Sequence, residues 1–379
     1  MSTPAVPDPG LAAGLDRGVR ERILRAASGA QSPGTRRTYD SSWSRFERWC
    51  AAQGHQALPA HPAVVAAYLV DAADTLTSDG QRAYAPTTLI KWVAAITDRH
   101  RRSGIEFAPT HHEMVRTTLA GIRREYAAAG DRPRKPRAPL LTDDVLAIVA
   151  AARDQVGSWA DAVAERRDSA LLLMGFAGAF RRSELVDLRG SDVELHPLDG
   201  IHIHIRRSKT DQEGRGTVHA LPRAELPDRC PPCAYVRWAQ VVAAFDRGGR
   251  PAVIALVSED GGVLSEHLCR GRTVPGIDSS RAIFRTVGRT ANLSTAPMSG
   301  AAVHAAIRRR AERAGYSAAA VTRLGAHSLR AGFVTQAFRN GADAHAIMRQ
   351  TQHRSPAMVE RYAREEAPLI GNAVTSLGL

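Results

Sequence analysis

Toward the C-terminus, His327-Ser328-Leu329-Arg330 precedes His353, and Tyr362 follows nine residues after that histidine. Upstream stand Arg181-Arg182-Ser183-Glu184 and Lys209. Arginine carries a permanent planar charge whose fork fits two non-bridging phosphate oxygens. A lysine arrives protonated, with an ordinary pKa of about 10.4, and can give its proton to a leaving oxygen. A phenol becomes a nucleophile when neighbouring cations and a base favour its oxyanion. Arg181, Lys209, His327, Arg330, His353 and Tyr362 are together the means of attacking a phosphodiester without a metal.

The spacing constrains where each residue must stand. His327 and Arg330, three apart, share one face of a helix. His327 then sits at that helix's N-terminus, where free N–H groups favour an anion. Glu184, three residues beyond Arg181, is close enough across a turn to orient that guanidinium. His353 and Tyr362 cannot converge on one straight helix, because nine residues turn it through about 900°. Arg354-Ser355-Pro356 resolves this, since Ser355 can cap and Pro356 can open a new helix carrying Tyr362.

The elements that position these groups are largely helical. Tyr39, Trp43, Phe46 and Cys50 form one apolar stripe after the Ser32-Pro33 start signal. Val64, Val65, Tyr68 and Leu69 predict a second helix, Leu89, Val93, Ile96 and His100 a third, and Val115, Leu119, Ile122 and Tyr126 a fourth. The arginines lie mostly off these stripes. A flexible arm with one short helix is expected over 1–31, a helical module over 32–130, a basic Pro-rich linker over 131–139, and a second domain over 140–379. The linker holds three prolines and four cations in Asp131 to Pro139, an extended composition that can follow a phosphate backbone.

In the second domain, Thr142 is expected to cap a helix, and Ala170 to Phe176 is apolar all round, the mark of a buried one. Ile201 to Ile205 alternates with a period of two, predicting a strand that returns around Val218 to Leu221. Residues 246 to 278 have no clear period and read as an irregular insertion. Helices are expected from Ser299, Ser328, Asp343 and Pro356.

Composition narrows the partner. The 379 residues carry 51 Lys+Arg against 38 Asp+Glu, a formal net charge of +13, which favours a polyanion, nucleic acid before membrane. No apolar run approaches the roughly 18 residues of a membrane span, and the first 14 residues lack a signal-peptide pattern, so a cytoplasmic location is expected. DNA contacts are assigned to Arg36, Arg37 and Arg45 in the helical module, to Arg132, Arg134, Lys135 and Arg137 in the linker, and to Arg206 and Arg207 beside the strand. Cys50, Cys230, Cys233 and Cys269 are read as reduced structural cysteines. Cys230-Pro231-Pro232-Cys233 has a metal-like spacing, but Cys269 and His267 are too sparse a complement, so no metal or cofactor is expected.

Taken in order, these residues resemble the active site of the tyrosine recombinases, the phage-integrase family. The family pattern is an arginine in a G-x-R-x-S-E-L-like turn, a hairpin lysine, H-x-x-R, a second His or Trp, and a Tyr nine residues later. Arg181, Lys209, His327, Arg330, His353 and Tyr362 fill those places, with Glu184 at the acidic position. Ala331-Gly332-Phe333 and Ile347 to Ser355 also resemble integrase sequence. Ala179 and Gln352 stand where the family commonly has Gly.

The resemblance covers roughly residues 32–379. It implies a mainly α fold with a small antiparallel β-sheet: an N-terminal helical, SAM-like core-binding domain and a C-terminal α+β catalytic domain forming a C-shaped clamp. It implies a homotetramer on double-stranded DNA sites, the segment 367–379 packing on a neighbour, and strand exchange through a 3′-phosphotyrosyl intermediate and a Holliday junction. Tyr362 would attack, Arg181 and Arg330 hold the phosphate, Lys209 protonate the leaving oxygen, His327 assist at Tyr362, and His353 donate to the phosphate. Two other readings fit parts of the pattern: a relaxing type IB topoisomerase and a non-catalytic DNA-binding descendant.

Overall fold

The computed structural model describes residues 16–29, 31–131, 137–206, 216–259, 264–270, 276–288 and 291–366, with isolated positions beyond. The chain forms two compact units, Met1–Lys135 and Pro136–Leu379.

The first unit is helical: α1 (Arg17–Gly29), α2 (Pro33–Ala52), α3 (Pro62–Asp74), α4 (Pro86–Arg102) and α5 (Glu113–Ala128). Ser32 caps α2 by accepting from the Thr35 amide at 3.1 Å, with Pro33 opening the helix. The expected stripes face inward: Trp43, Phe46 and Cys50 pack with Tyr68, Leu69, Leu89, Ile96, Val115, Ile122 and Tyr126. His100 is fully buried and satisfied, its Nε2 accepting from the Ala60 amide at 3.0 Å and its Nδ1 donating to the Ile96 carbonyl at 2.8 Å. Within the expected arm, the described residues form α1.

The second unit runs α6 (Thr142–Asp154), α7 (Trp159–Ala177), α8 (Arg182–Asp187), β1 (Val193–His196), β2 (Gly200–Ile205), β3 (Thr217–Leu221), α9 (Pro231–Glu259), β4 (Arg285–Val287), β5 (Leu293–Pro297), α10 (Gly300–Arg313), α11 (Ala318–Arg323), α12 (Ala326–Arg339), α13 (Ala344–Thr351) and α14 (Pro356–Glu366). The strands β1-β2-β3 form an antiparallel sheet, with Ile203 opposite both Val193 and His219, and β4-β5 make a second antiparallel pair. The core gathers Ala170 to Met174 of α7, Trp238, Val241 and Val242 of α9, and Ile201, Ile203 and Ile205 of β2.

Two expectations need correction. Thr142 does not cap α6: Leu141 holds the cap position, and its amide donates to the Asp144 carboxylate at 2.8 Å. Residues 246–259 are not irregular but complete α9, whose two stretches meet at Gly248 and Gly249. Gly249 takes φ 60, and Pro251 opens the second stretch, which buries Val253 and Val257. The glycines and proline erased the period in the sequence. Helix α7 is buried over Ala170 to Gly175 as expected, and its preceding turn also buries Glu165, Arg167 and Asp168; the Asp168 carboxylate accepts from Arg167 at 2.8 Å, Arg310 at 2.8 Å and Arg309 at 2.9 Å.

Helix α12 is held close to the chain before α6. A Cβ built on Gly332 would lie 1.7 Å from the Leu140 carbonyl oxygen, so only glycine permits this approach. The Leu140 amide in turn donates to the Ser328 carbonyl at 3.0 Å. This contact fixes the helix that carries His327 and Arg330.

Candidate active site

Arg181 precedes the first residue of α8. The Glu184 carboxylate accepts from its backbone amide and from its guanidinium, each at 2.7 Å. One buried carboxylate thus caps the helix and fixes the side chain that faces the site, which accounts for the three-residue spacing. The Arg181 guanidinium also donates to the Gln352 carbonyl at 3.4 Å.

Arg330 is buried on α12. It donates to the Ala179 carbonyl at 2.7 Å, to the Thr351 carbonyl, and to His353 Nε2 at 3.2 Å. Burial first, and then the charge of Arg181, pull its pKa down to about 10. Because guanidinium only donates, His353 Nε2 must accept, and its proton sits on Nδ1, which donates to Thr351 Oγ1 at 2.7 Å. Burial and the nearby Arg330 and Arg181 hold His353 down at about 4, so it is neutral near pH 7. In this arrangement His353 Nε2 is engaged by Arg330.

Tyr362 lies on α14, which Pro356 opens as expected. Its hydroxyl is 3.0 Å from His327 Nε2, and its ring lies 5.9 Å from that of His353 between centroids. Burial of the ring, then Arg330 and Arg181, lowers the His327 pKa from the ordinary imidazole value. A neutral His327 with its proton on Nδ1 can accept a hydrogen bond from the phenol through Nε2. Arg181, Arg330, His327, His353 and Tyr362 therefore converge within one chain. The cations repel one another and lower their neighbours' pKa values, as expected of a site prepared for an anion.

The motifs did not reveal two supports of this cluster. His219 on β3 is buried; its Nδ1 donates to the Gly178 carbonyl at 3.1 Å, and its Nε2 accepts from the Gln352 side chain, which also reaches Thr217. Thr351 locks the tautomer of His353. The backbone at Ala179 has φ 47 and at Gln352 φ 54, both left-handed. That explains why glycine suits those positions, and the alternating pattern of β2 was the only hint that its partner strand brings His219 inward.

Lys209, Arg207, Arg132, Arg134 and Lys135 lie outside the described residues. Among the other expected DNA contacts, Arg45 is drawn inward: it stacks over the Tyr84 and Trp92 rings at 4.5 and 4.7 Å and donates to the Tyr84 hydroxyl. Arg206 pairs with Asp192 at 2.9 Å and donates to the Asp187 carbonyl at 3.0 Å. Arg137 is exposed and donates to the Thr322 carbonyl at 2.7 Å. Arg37 is exposed and Arg36 half-buried on α2. The structure also brings Cys230, Cys233, His267 and Cys269 together, which the sequence reading had kept apart. No helix among the described residues is long and apolar enough to cross a membrane.

Residues 253–367, which carry His327, Arg330, His353 and Tyr362, match the Phage integrase family. Over that stretch the chain is similar to the family. The chain is 29% identical over 358 residues to an integrase/recombinase xerD homolog of Selenomonas ruminantium, across 94% of this chain and 89% of that one. Among solved structures, it is similar to XerA recombinase at 16% identity, with a TM-score of 0.36 over 94% of this chain and 96% of the other. It is also similar to the Tn1549 transposon integrase in complex with transposon right-end DNA, at 12% identity and TM-score 0.48 over 97% and 96% of the two chains. The described residues are mainly α with small antiparallel sheets.

Proposed function

We propose that this protein is a recombinase that cuts and rejoins double-stranded DNA at specific sites through a covalent 3′-phosphotyrosyl intermediate. The observation that carries the reading is the hydroxyl of Tyr362 on His327 Nε2 at 3.0 Å, in the same chain as the two guanidiniums. Tyr362 attacks the phosphorus, and its proton passes to His327. Arg181 and Arg330 hold the non-bridging oxygens and balance the charge that grows in the trigonal-bipyramidal transition state. Lys209 is assigned by sequence alone to protonate the departing 5′-oxygen. His353 acts first by fixing the Arg330 guanidinium. Phosphate entry between the two would favour its protonated form and release Nε2 as a donor.

The phosphotyrosyl bond conserves the phosphodiester's energy, so a second 5′-hydroxyl can reverse the attack. Two such rounds between paired sites pass through a Holliday junction. Four protomers on two sites, with the helical first unit as a DNA-binding module, complete the reading, as does action in the cytoplasm. The net charge of +13 supports a largely phosphate-directed interface. The test offers two end-labelled duplexes carrying the cognate site, found as inverted repeats flanking a short spacer near the coding region. Exchange of label between duplexes supports recombination. Relaxation of a supercoiled circle without exchange would identify a topoisomerase instead, and tight binding without any strand cutting would identify a non-catalytic DNA-binding protein.

A further inference from the structure

The second unit holds a group of ligands that the recombination chemistry does not use. Cys230 and Cys233 flank the two prolines that open α9, and His267 and Cys269 lie on the short segment that follows it. The kink at Gly248 and Gly249 turns α9 so that its sequel meets its beginning. All three sulfurs are buried.

The distances between the donor atoms fit a single ion. Cys230 Sγ lies 3.8 Å from Cys269 Sγ, and Cys233 Sγ lies 3.5 Å from Cys269 Sγ. His267 Nδ1 is 3.4 Å from Cys233 Sγ and 3.8 Å from Cys269 Sγ. A tetrahedral zinc with Zn–S near 2.3 Å and Zn–N near 2.0–2.1 Å requires edges of about 3.8 Å between sulfurs and about 3.5 Å from sulfur to nitrogen. The sulfurs are well beyond the roughly 2.05 Å of a disulfide.

The surroundings favour the same occupant. His267 Nε2 donates to the Glu225 carbonyl at 3.2 Å, which leaves the Nδ1 lone pair facing the sulfurs. Such a carbonyl partner on the remote nitrogen is what usually fixes a metal-bound imidazole. Arg223 acts on Cys269, and its Nε is buried without a hydrogen-bond partner among the described residues. Three thiolates, a neutral imidazole and Zn²⁺ carry a net charge of −1, which a guanidinium offsets.

We infer that Cys230, Cys233, His267 and Cys269 form a Cys3His site for a structural zinc ion. Four protein ligands leave no open position for water or substrate, so the role is structural. Zinc would tie the segment after α9 to the helix start. The chain beyond that segment reaches the catalytic turn: the Ile283 amide donates to the Leu188 carbonyl at 2.9 Å, just past α8, and the Gly190 amide donates to the Arg281 carbonyl at 3.1 Å. The sequence spacing looked too sparse because a kinked helix separates the two ligand pairs.

The test is metal analysis of the full chain purified under reducing conditions. We expect about one zinc per chain, and on cobalt substitution the d–d bands of a tetrahedral ion together with thiolate-to-metal charge transfer. Cys269→Ser and His267→Ala should each lose zinc, whereas Cys50→Ser, in the other unit, should retain it. Because a ligand variant can fail to fold, the cobalt spectrum of the unaltered protein decides. Zinc-free folded protein that gives no tetrahedral cobalt spectrum would overturn the inference.

Discussion

The carbonyl oxygens of Ala179 and Gln352 each receive one of the two active-site guanidiniums: Ala179 from Arg330 at 2.7 Å and Gln352 from Arg181 at 3.4 Å. Both acceptors are non-glycine residues in the left-handed region, at φ 47 and φ 54. That backbone turns each carbonyl toward an arginine, at a conformational cost of roughly 1–2 kcal/mol per residue. The phosphate-binding forks are therefore aimed partly by two strained peptide units.

The two positions should respond differently to glycine. Ala179→Gly relieves the strain and loses no side-chain bond, so the thermal midpoint should stay level or rise, by up to about 1 kcal/mol of stability after the added unfolded-state entropy. Gln352→Gly also relieves strain but removes the links to Thr217 and His219, so it should lower stability by about 1 kcal/mol and slow strand cutting. Denaturant unfolding of both variants checks this. Equal behaviour would show that the Gln352 side chain contributes nothing.

Gly332→Ala should be far more costly than an ordinary glycine-to-alanine change within a helix, which normally stabilises. The added methyl meets the Leu140 carbonyl, and the helix carrying Arg330 must shift. A loss of about 2 kcal/mol or more is expected, with weakened DNA cutting, read by chemical unfolding and a cleavage assay.

His327→Ala should slow formation of the covalent complex by roughly 10²–10⁴-fold while leaving DNA affinity nearly unchanged, because its role is to take a proton. A substrate with sulfur at the 5′-bridging position, which leaves without protonation, should not rescue this variant. It should rescue Lys209→Ala, if that lysine is the acid. In the unaltered enzyme the lowered His327 pKa keeps the base neutral at pH 7, so the rate should fall only as pH drops below the usual imidazole range.

His353 links stability to pH. Its folded pKa of about 4 lies below the ordinary 6.5, so the unfolded chain binds the extra proton first. Above pH 6.5 the group is neutral in both states and contributes no pH dependence. Between 6.5 and about 4 it should remove up to about 3 kcal/mol of stability from the DNA-free protein, and the loss levels off below that. Unfolding curves of His353→Gln against the parent across this window should show a shallower decline for the variant.

Much of this site was legible because its chemistry is tied to local signals. Ser355-Pro356 announced the helix break that lets His353 and Tyr362 converge, and Arg181 to Glu184 announced a capped turn. Hydrophobic periodicity likewise marked α2 to α5. What stayed hidden depends on contacts between distant segments. The role of Arg45 is set by Tyr84 and Trp92, that of His219 by Gln352, and the buried charges of α7 by arginines on α10. The path of α9 depends on two glycines whose bend no periodicity encodes.

The most direct measurement is made on a nicked duplex that traps the cut strand, followed by protease digestion and mass spectrometry of the DNA-linked peptide. The account predicts a nucleotide joined through its 3′-phosphate to Tyr362, and no adduct from Tyr362→Phe despite normal DNA binding. A linkage to any other residue, or an undiminished adduct from Tyr362→Phe, would contradict it.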